Sequence, residues 1–170
     1  TPRKQNDLLY VSAFYNGSLM MKLDAAAPKA TVAWKRSGQN ERLTDALHCL
    51  ISTPVFDGAF IYGVDSYGEL RCLDRDTGER RWSTFAATSG QSARWGNAFL
   101  IRHADRYFLF SEQGDLIIAR LTPEKYEELG RAHLLEPTGS AQRREVAWVH
   151  PALARKCVFV RNDREIVCAS

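Results

Sequence analysis

Residues 52–82 read STPVFDGAFIYGVDSYGELRCLDRDTGERRW, and this stretch is the fullest copy of a pattern that returns about every fifty residues. In three copies a proline precedes an aromatic residue by eight positions: Pro2 to Tyr10, Pro54 to Tyr62 and Pro151 to Phe159. A further copy has Leu100 in the proline position and Phe108 as its aromatic residue. Repetition at this period is typical of propeller blades, solenoid turns or arrays.

Each copy continues from its aromatic residue into a turn and then a second apolar run. The turns are Asn16-Gly17, Ser66-Tyr67-Gly68, Gln113-Gly114 and Asn162-Asp163, and the runs start at Leu19, Leu70, Leu116 and Ile166. Short β-branched or aromatic runs bounded by Gly, Asn and Asp predict antiparallel hairpins, and the turn glycines suit a positive φ. A βαβ unit would need a helix between its strands. The sequence therefore predicts a small antiparallel sheet in each copy.

A fourth strand closes the better copies, and it decides between the repeat architectures. In the second copy the turn at 74–78 precedes a strand at 80–84, and the first copy has Trp34 at the matching place. Four strands per copy predict an all-β propeller with four-stranded antiparallel blades. A β-helix would have a shorter period, and a leucine-rich repeat would have a ladder of Leu and Asn, which this sequence lacks. We expect a partial propeller of about four blades in one segment over 1–170, with blades at about 1–37, 48–85, 95–137 and 145–170.

The segment CLDRDTGERRW at 72–82 carries the clearest resemblance to a known family. It resembles the tryptophan-docking motif Ala-x-Asp-x-x-Thr-Gly-x-x-x-Trp of PQQ-like (pyrroloquinoline-quinone-like) β-propeller repeats, with Cys72 in place of the alanine. The residues that match the motif are Asp74, Thr77, Gly78 and Trp82. Segments 94–99 and 126–129 are similar to the last blades of large bacterial members. The resemblance implies that the Trp packs against a neighbouring blade, so we interpret Trp82 and Trp34 as structural.

The resemblance implies two kinds of function. Family members include quinoprotein dehydrogenases, which use PQQ and Ca²⁺, and a cofactor-free lipoprotein of outer-membrane protein assembly. We favour a non-catalytic scaffold that binds a protein partner or a small ligand without a cofactor, in the periplasm or cell envelope. The alternative is part of a PQQ-dependent dehydrogenase whose cofactor ligands lie partly outside this segment. A third hypothesis is sugar or peptide binding at the mouth of the channel.

Motifs for catalysis are sparse in this chain. PQQ dehydrogenases often have a disulfide between adjacent cysteines, but the sequence has no Cys-Cys pair, and no motif places the Ca²⁺ ligands. The acidic residues Asp74 and Asp76 superficially resemble a calcium loop, yet the other ligands and the terminal Glu of an EF-hand are missing. No Gly-x-Ser-x-Gly elbow indicates a Ser-His-Asp hydrolase. The sequence therefore favours binding over catalysis.

Three corresponding loops carry polar and aromatic residues where successive blades would join. In a propeller such a loop leads from the outer strand of one blade to the inner strand of the next, beside the channel. The candidate ligand-binding residues on these loops are His48, Arg94, Trp95, Asn97, Trp148 and His150. Aromatic walls with a few hydrogen-bonding groups are typical of a small-ligand or peptide site. The competing interpretation is that the histidines cap strand ends and the tryptophans pack between blades.

Composition bounds the class of protein and of partner. The 170 residues have a net charge of +3 from 23 basic and 20 acidic residues, and even the pair Arg143-Arg144 is followed by Glu145. We interpret these charges as a solvated surface and expect no nucleic-acid partner. No apolar run approaches the length of a membrane span. Because quinoprotein-type propellers commonly have about eight blades, we expect the C-terminal half of a longer chain, or else a half-propeller that closes as a homodimer.

The four cysteines show no metal-binding spacing. Cys72 and Cys168 fall at the same repeat position, and free buried thiols are one expectation. A two-residue hairpin loop at Asn162-Asp163 would instead place Cys157 opposite Cys168, which would permit a disulfide in an oxidising compartment. The sequence leaves both possibilities open.

Two connections depart from the repeat. Residues 122–130 read TPEKYEELG, where Thr122 as N-cap, Pro123 at N1 and Gly130 after the end predict a short surface helix. Residues 37–48 form a longer connection into the second copy, and a connection of this length can carry function.

Overall fold

The computed structural model describes residues 2–170, so Thr1, at which the first predicted blade begins, lies outside the described residues. Seventeen strands run through the described range, and every strand pair is antiparallel. Within that range no helix is long and apolar enough to cross a membrane. The predicted all-β class with four-stranded antiparallel sheets is confirmed.

The strands follow one another in space in the order of the chain. The first sheet contains β1 (Arg3–Gln5), β2 (Leu8–Ala13), β3 (Gly17–Leu23) and β4 (Ala30–Arg36). The second contains β5 (Val55–Asp57), β6 (Phe60–Val64), β7 (Leu70–Asp74) and β8 (Arg80–Thr84). The third contains β9 (Ala98–His103), β10 (Arg106–Ser111), β11 (Asp115–Leu121) and β12 (Tyr126–His133). A hairpin of β13 (Gly139–Ala141) and β14 (Arg144–Val146) precedes the fourth sheet, which contains β15 (Ala152–Ala154), β16 (Cys157–Arg161) and β17 (Ile166–Ala169).

The same register recurs in each sheet. The aromatic residue of each copy pairs with a residue on the following strand: Tyr10 with Met20, Tyr62 with Cys72, Phe108 with Ile118 and Phe159 with Cys168. The paired residues form a row across each sheet, and in the first three sheets this row reaches the fourth strand. Its last members there are Trp34, Trp82 and Gly130, and a β-bulge lies next to each of them. The turn glycines adopt the positive φ that the sequence predicts, as at Gly68 with φ 87°. The repeat in the sequence is therefore a repeat in side-chain orientation.

Consecutive sheets pack against each other through apolar faces. Tyr10 meets Phe56 of the second sheet edge to face, with ring centroids 6.2 Å apart. Tyr62 meets Tyr107 of the third sheet in the same way at 5.5 Å. Between the third and fourth sheets the buried cluster contains Phe110, Val158 and Val160. Burial of these faces is the main favourable contribution to the fold, since it removes apolar area from water.

Two tryptophans link one sheet to the next. The indole N–H of Trp34 donates to the carbonyl of Arg75 at 2.8 Å, and that of Trp82 donates to the carbonyl of Thr122 at 2.7 Å. Both carbonyls lie in the turn between the third and fourth strands of the following sheet. The Trp34 ring covers Gly78, where an added Cβ would lie 2.7 Å from two ring carbons. A side chain at this position would therefore displace the ring.

The docking turn is held by the carboxylate of Asp74. Its Oδ1 accepts the backbone N–H groups of Asp76 (3.0 Å) and Thr77 (3.1 Å), and its Oδ2 accepts from Arg81 at 2.9 Å. Burial alone would raise the pKa of Asp74, but these hydrogen bonds to the ionised form lower it. Asp74 and Thr77 of the motif thus stabilise the turn to which they belong.

The helix predicted over 122–130 is wrong, because these residues form a hairpin turn and the start of β12. The Thr122 hydroxyl accepts from the backbone N–H groups of Glu124 and Lys125, and the Thr122 N–H donates to the Lys125 carbonyl at 3.0 Å. Thr followed by Pro suits the first positions of a β-turn as well as a helix start. The bonds of β12 to β11 then favour the strand.

The register that would bring Cys157 opposite Cys168 is also wrong. The Asn162 side chain accepts the N–H groups of Arg164 (2.8 Å) and Glu165 (2.9 Å), so the loop has four residues instead of two. Phe159 therefore faces Cys168. All four cysteines are free thiols, and Cys49 and Cys72 are buried as expected. The expectation of a buried thiol is wrong for Cys168, which is exposed although it shares the repeat position of Cys72.

His133, at the exposed end of β12, lies between two carboxylates. Its Nδ1 is 2.9 Å from Asp115 Oδ1, and its Nε2 is 3.2 Å from Glu136 Oε1. The hydrogen bond to Asp115 and the charge of both carboxylates raise the pKa of His133. A raised folded-state pKa stabilises the fold fully below the unfolded pKa, and this contribution is lost as pH rises through the folded pKa. We expect NMR titration to give a higher His133 pKa in the native chain than in Asp115→Asn; equal values would contradict the assignment.

Candidate functional site

The loop that enters the second sheet is fixed by a buried ion pair. Arg71 and Asp65 have side chains only 4% and 1% exposed, with Arg71 Nη1 3.3 Å from Asp65 Oδ1. Arg71 also donates to the Ala46 carbonyl and, at 2.7 Å, to the Thr44 hydroxyl. Asp65 accepts the His48 backbone N–H at 2.7 Å. The strands β6 and β7 thereby set the position of the long connection that carries His48.

The His48 side chain is buried, with only 1% of its surface exposed. Its Nδ1 lies 2.7 Å from the Phe14 carbonyl, and since a carbonyl only accepts, Nδ1 carries the proton. Its Nε2 is buried and has no hydrogen-bond partner among the described residues. A Cβ added at Gly17 would lie 2.9 Å from this Nε2. The site thus needs a glycine at position 17, which also has φ 70°.

Arg94 lies between two aromatic rings. Its guanidinium carbon is 5.9 Å from the centre of the Phe14 ring and 5.4 Å from that of Trp95, which are cation–π distances. Arg94 Nη2 is 3.4 Å from Glu41 Oε2, and the other Glu41 oxygen accepts from Tyr67 at 2.7 Å. Arg94 Nε is buried and has no partner among the described residues. The arginine is therefore positioned by its neighbours while one donor stays unused.

Trp95 has a strained backbone. Its φ of 61° is in the left-handed region, which costs of order 1–3 kcal/mol for a residue other than glycine. The Trp95 N–H donates to the Ser66 carbonyl at 2.7 Å, and Gly96 passes close to Gly68. The surrounding turns hold this conformation and keep the Trp95 ring on Arg94.

Glu112 joins the loops before the third and fourth sheets. Its side chain is only 2% exposed and accepts from Arg144 Nε (2.8 Å), from Arg144 Nη2 (3.0 Å) and from Trp148 Nε1 (3.0 Å). The remaining Arg144 nitrogen donates to the Arg94 carbonyl at 2.8 Å. The Glu112 N–H donates to the Asn97 carbonyl, while the Asn97 Nδ2 is buried without a partner in the described part of the chain. These bonds make one connected network.

We call this network the loop-face cluster. Its members are Phe14, Glu41, His48, Arg94, Trp95, Asn97, Glu112, Arg144 and Trp148. Five of the six sequence-predicted residues belong to it, but His150 does not. The His150 ring lies 5.2 Å from Phe99 and lines a separate cavity of about 190 Å³ with Arg3, Pro54 and other residues at the inner strands.

Sequence reasoning missed four members of the cluster: Phe14, Glu41, Glu112 and Arg144. Arg144 was expected on a solvated surface, yet it forms a two-point ion pair with a buried carboxylate. It lies on the β13–β14 hairpin, whose three-residue strands gave no repeat signal. Phe14 and Glu112 both come directly after the end of the second strand of their sheet. That shared repeat position is a signal that could have found them.

Comparison with known proteins agrees with the repeat geometry. The PQQ_2 family model, described as outer membrane protein assembly factor BamB, matches residues 1–84. The solved structure of BamB from Moraxella catarrhalis matches with a TM-score of 0.54 at 13% identity, over 99% of this chain and 42% of that chain. Residues 1–84 thus belong to the PQQ-like repeat family, and the chain as a whole has a β-propeller repeat fold. No curated protein matches its sequence.

Two further solved structures are similar to this chain. The computationally designed Ika8 protein matches with a TM-score of 0.55 at 8% identity, over 94% of this chain and 41% of that one. A europium-containing methanol dehydrogenase matches with a TM-score of 0.49 at 15% identity, over 80% and 24%. At these identities the likeness shows the fold alone. The chain spans about two fifths of the length of the first two solved structures it matches.

The carboxylates in the docking turn do not fit a calcium site. Asp74 is occupied by the turn N–H groups and by Arg81, and Asp76 is paired with Arg75 at 2.8 Å. Ca²⁺ needs six to eight oxygen ligands. No group of three His, Cys, Asp or Glu side chains within residues 2–170 is arranged to hold a metal ion. The docking turn therefore has a structural explanation that needs no metal.

Proposed function

We propose that this PQQ-like repeat protein is a non-catalytic interaction scaffold of the cell envelope and that it binds a protein partner through the loop-face cluster. The observation that carries the proposal is Arg94, which lies at cation–π distance from the Phe14 and Trp95 rings while its side chain stays 39% exposed. Arg and Trp are enriched at the energetic centres of protein interfaces. Because the Arg94 side chain is 39% exposed, a carboxylate or a peptide carbonyl of the partner would accept from the accessible part of its guanidinium.

The rigidity of the cluster supports binding. Glu112 is fixed by Arg144 and Trp148. Asp65, which lies outside the cluster and accepts the His48 N–H, is paired with Arg71, so the oxygens of both carboxylates are already used within the fold. A surface that is ordered before binding loses less side-chain entropy when a partner arrives. The same pairing leaves neither carboxylate free to accept a substrate proton. The cluster is thus better suited to recognition than to proton transfer.

The envelope location rests on the family. The matching family model and one similar structure are named for an outer membrane protein assembly factor, and we extend that location to this chain as part of the proposal. We also propose that its sheets act as blades of a larger ring. The blades would have the four ranges predicted from the sequence, about 1–37, 48–85, 95–137 and 145–170. The dehydrogenase alternative predicts Ca²⁺-dependent dye reduction with alcohols or sugars, which the scaffold does not give.

The test is photo-crosslinking in the full chain. A photoreactive amino acid that replaces Tyr15 would lie beside the cluster, since Tyr15 is 75% exposed and packs on Phe14. The matched control is Val32, which is 64% exposed on β4, the outer strand of the first sheet. We expect discrete protein adducts from position 15 and none from position 32, with the Arg94→Ala chain giving fewer adducts at position 15. Equal adducts from both positions would contradict the proposal.

A further inference from the structure

A cleft separates the third and fourth sheets at the end of β9 that is remote from the loop-face cluster. Strand β9 begins at Ala98, next to Asn97 of the cluster, and ends at His103, which lines the cleft. The cavity measures about 380 Å³, and its apolar walls are Phe108, Leu153 and Val158. This is the size range of a small-ligand pocket.

The third sheet, whose Phe108 lines the cleft, lacks a tryptophan at the repeat position. In the first two sheets the row aromatic lies next to the docking indole, with Tyr10 and Trp34 ring centroids 5.9 Å apart and Tyr62 and Trp82 also 5.9 Å apart. In the third sheet the row runs through Phe108 and ends in Gly130. A Cβ added at Gly130 would meet nothing within 4 Å. Phe108 thus has no indole beside it of the kind that Tyr10 and Tyr62 have.

The rim of the cleft carries positive charge. Arg155 and Lys156 form the tight turn between β15 and β16, with φ of 51° and 66°, and both line the cavity. Neither has an acidic side chain within ion-pair distance among residues 2–170. Asp105, on the facing turn between β9 and β10, is instead paired with Arg106 and Arg120. An apolar floor beneath unpaired cations suits an aromatic group that carries a neighbouring carboxylate.

We propose that this cleft binds an aromatic side chain flanked by acidic residues, presented by an extended segment of a partner protein. The ring enters beside Phe108 and Leu153, as Trp34 lies beside Tyr10 in the first sheet. The flanking carboxylates meet Arg155 and Lys156. This binding is separate from the loop-face cluster and does not depend on its function.

The probe is the peptide N-acetyl-Glu-Trp-Glu-amide, titrated into the full chain and followed by NMR and calorimetry. We expect shifts at Phe108, Leu153 and Val158. The same peptide with Ala in place of Trp should not bind, and a Lys-Trp-Lys peptide should bind at least several-fold more weakly. No binding of the Glu-Trp-Glu peptide up to millimolar concentration would overturn the proposal, and so would equal binding of the Lys-Trp-Lys peptide. If indole-3-acetate binds as tightly as the peptide, the proposal that the aromatic group belongs to a protein segment would be overturned.

Variants place the binding in the cleft. Gly130→Trp fills the repeat position with an indole of the chain itself, so we expect affinity for the peptide to fall at least about tenfold. Circular dichroism checks that Gly130→Trp folds. If it does not fold, Leu153→Lys on the opposite wall of the cleft should lower the affinity for the peptide in the same way. Lys156→Gln should weaken binding by about two- to fivefold, as for an exposed ion pair. The matched control Lys125→Gln, on another turn of the third sheet, should leave affinity unchanged; wild-type affinity in Gly130→Trp and Leu153→Lys would overturn the site.

Discussion

Replacing Arg71 by methionine is expected to lower the free energy of unfolding by about 3–5 kcal/mol, because it leaves the buried carboxylate of Asp65 without its cation. Arg71 also donates hydrogen bonds to Thr44 and Ala46, so the substitution removes the bonds that hold the connection carrying His48. Methionine keeps much of the side-chain volume, so the loss measures charge and hydrogen bonding more than a cavity. Chemical denaturation followed by tryptophan fluorescence gives the value.

The matched control for this variant is an exposed ion pair. Lys22 and Asp7 are 3.6 Å apart with side chains 66% and 49% exposed, and Lys22→Met should cost no more than about 1 kcal/mol. Equal effects of the two substitutions would show that the buried network does not hold the connection. A loss confined to Arg71→Met would support it.

Replacing Trp82 by alanine is expected to destabilise the protein by about 3 kcal/mol or more. The indole packs 5.9 Å from the Tyr62 ring in the core between the second and third sheets, and its N–H bonds the Thr122 carbonyl. Trp82→Phe keeps most of the apolar area and removes the donor, so we expect a smaller loss of about 1–2 kcal/mol.

Thermal and chemical unfolding of both Trp82 variants measures this link between sheets. Tyr15→Ala provides the control, since this aromatic residue is 75% exposed and should change stability by no more than about 0.5 kcal/mol. A Trp82→Ala protein as stable as Tyr15→Ala would mean that the tryptophan does not join the two sheets. A Trp82→Phe loss equal to that of Trp82→Ala would assign the whole effect to the hydrogen bond.

The repeat made most of the fold predictable, because a fixed register repeats the same side-chain environment. The distance from the proline position aligned Tyr10, Tyr62 and Phe108 in the sequence. In the structure each of them pairs with the corresponding residue of the next strand: Met20, Cys72 and Ile118. Where one residue type serves two local structures, the sequence was not sufficient. Thr122 followed by Pro123 suits a helix start and a β-turn alike, and only the pairing of β12 with β11 decides between them.

The candidate site was less predictable, because its contacts join residues far apart in the chain. Arg94, Trp95 and Asn97 were found from the repeat, since their loop corresponds to the one that carries His48. Glu112 and Arg144 contact each other across 32 positions, and no local pattern marks such a pair. An isolated arginine resembles a solvated surface residue until its buried partner is known.

The most direct test of the loop-face cluster is the yield of the position-15 crosslink in the Arg94→Ala chain, measured together with its free energy of unfolding. We expect a yield at least about tenfold lower, which corresponds to about 1.4 kcal/mol of binding free energy. We also expect stability to stay within about 1 kcal/mol of the original, because Arg94 is partly exposed and its one ion pair, with Glu41, is long. An unchanged yield, or a lower yield that only follows a loss of folded protein, would contradict a binding role for Arg94.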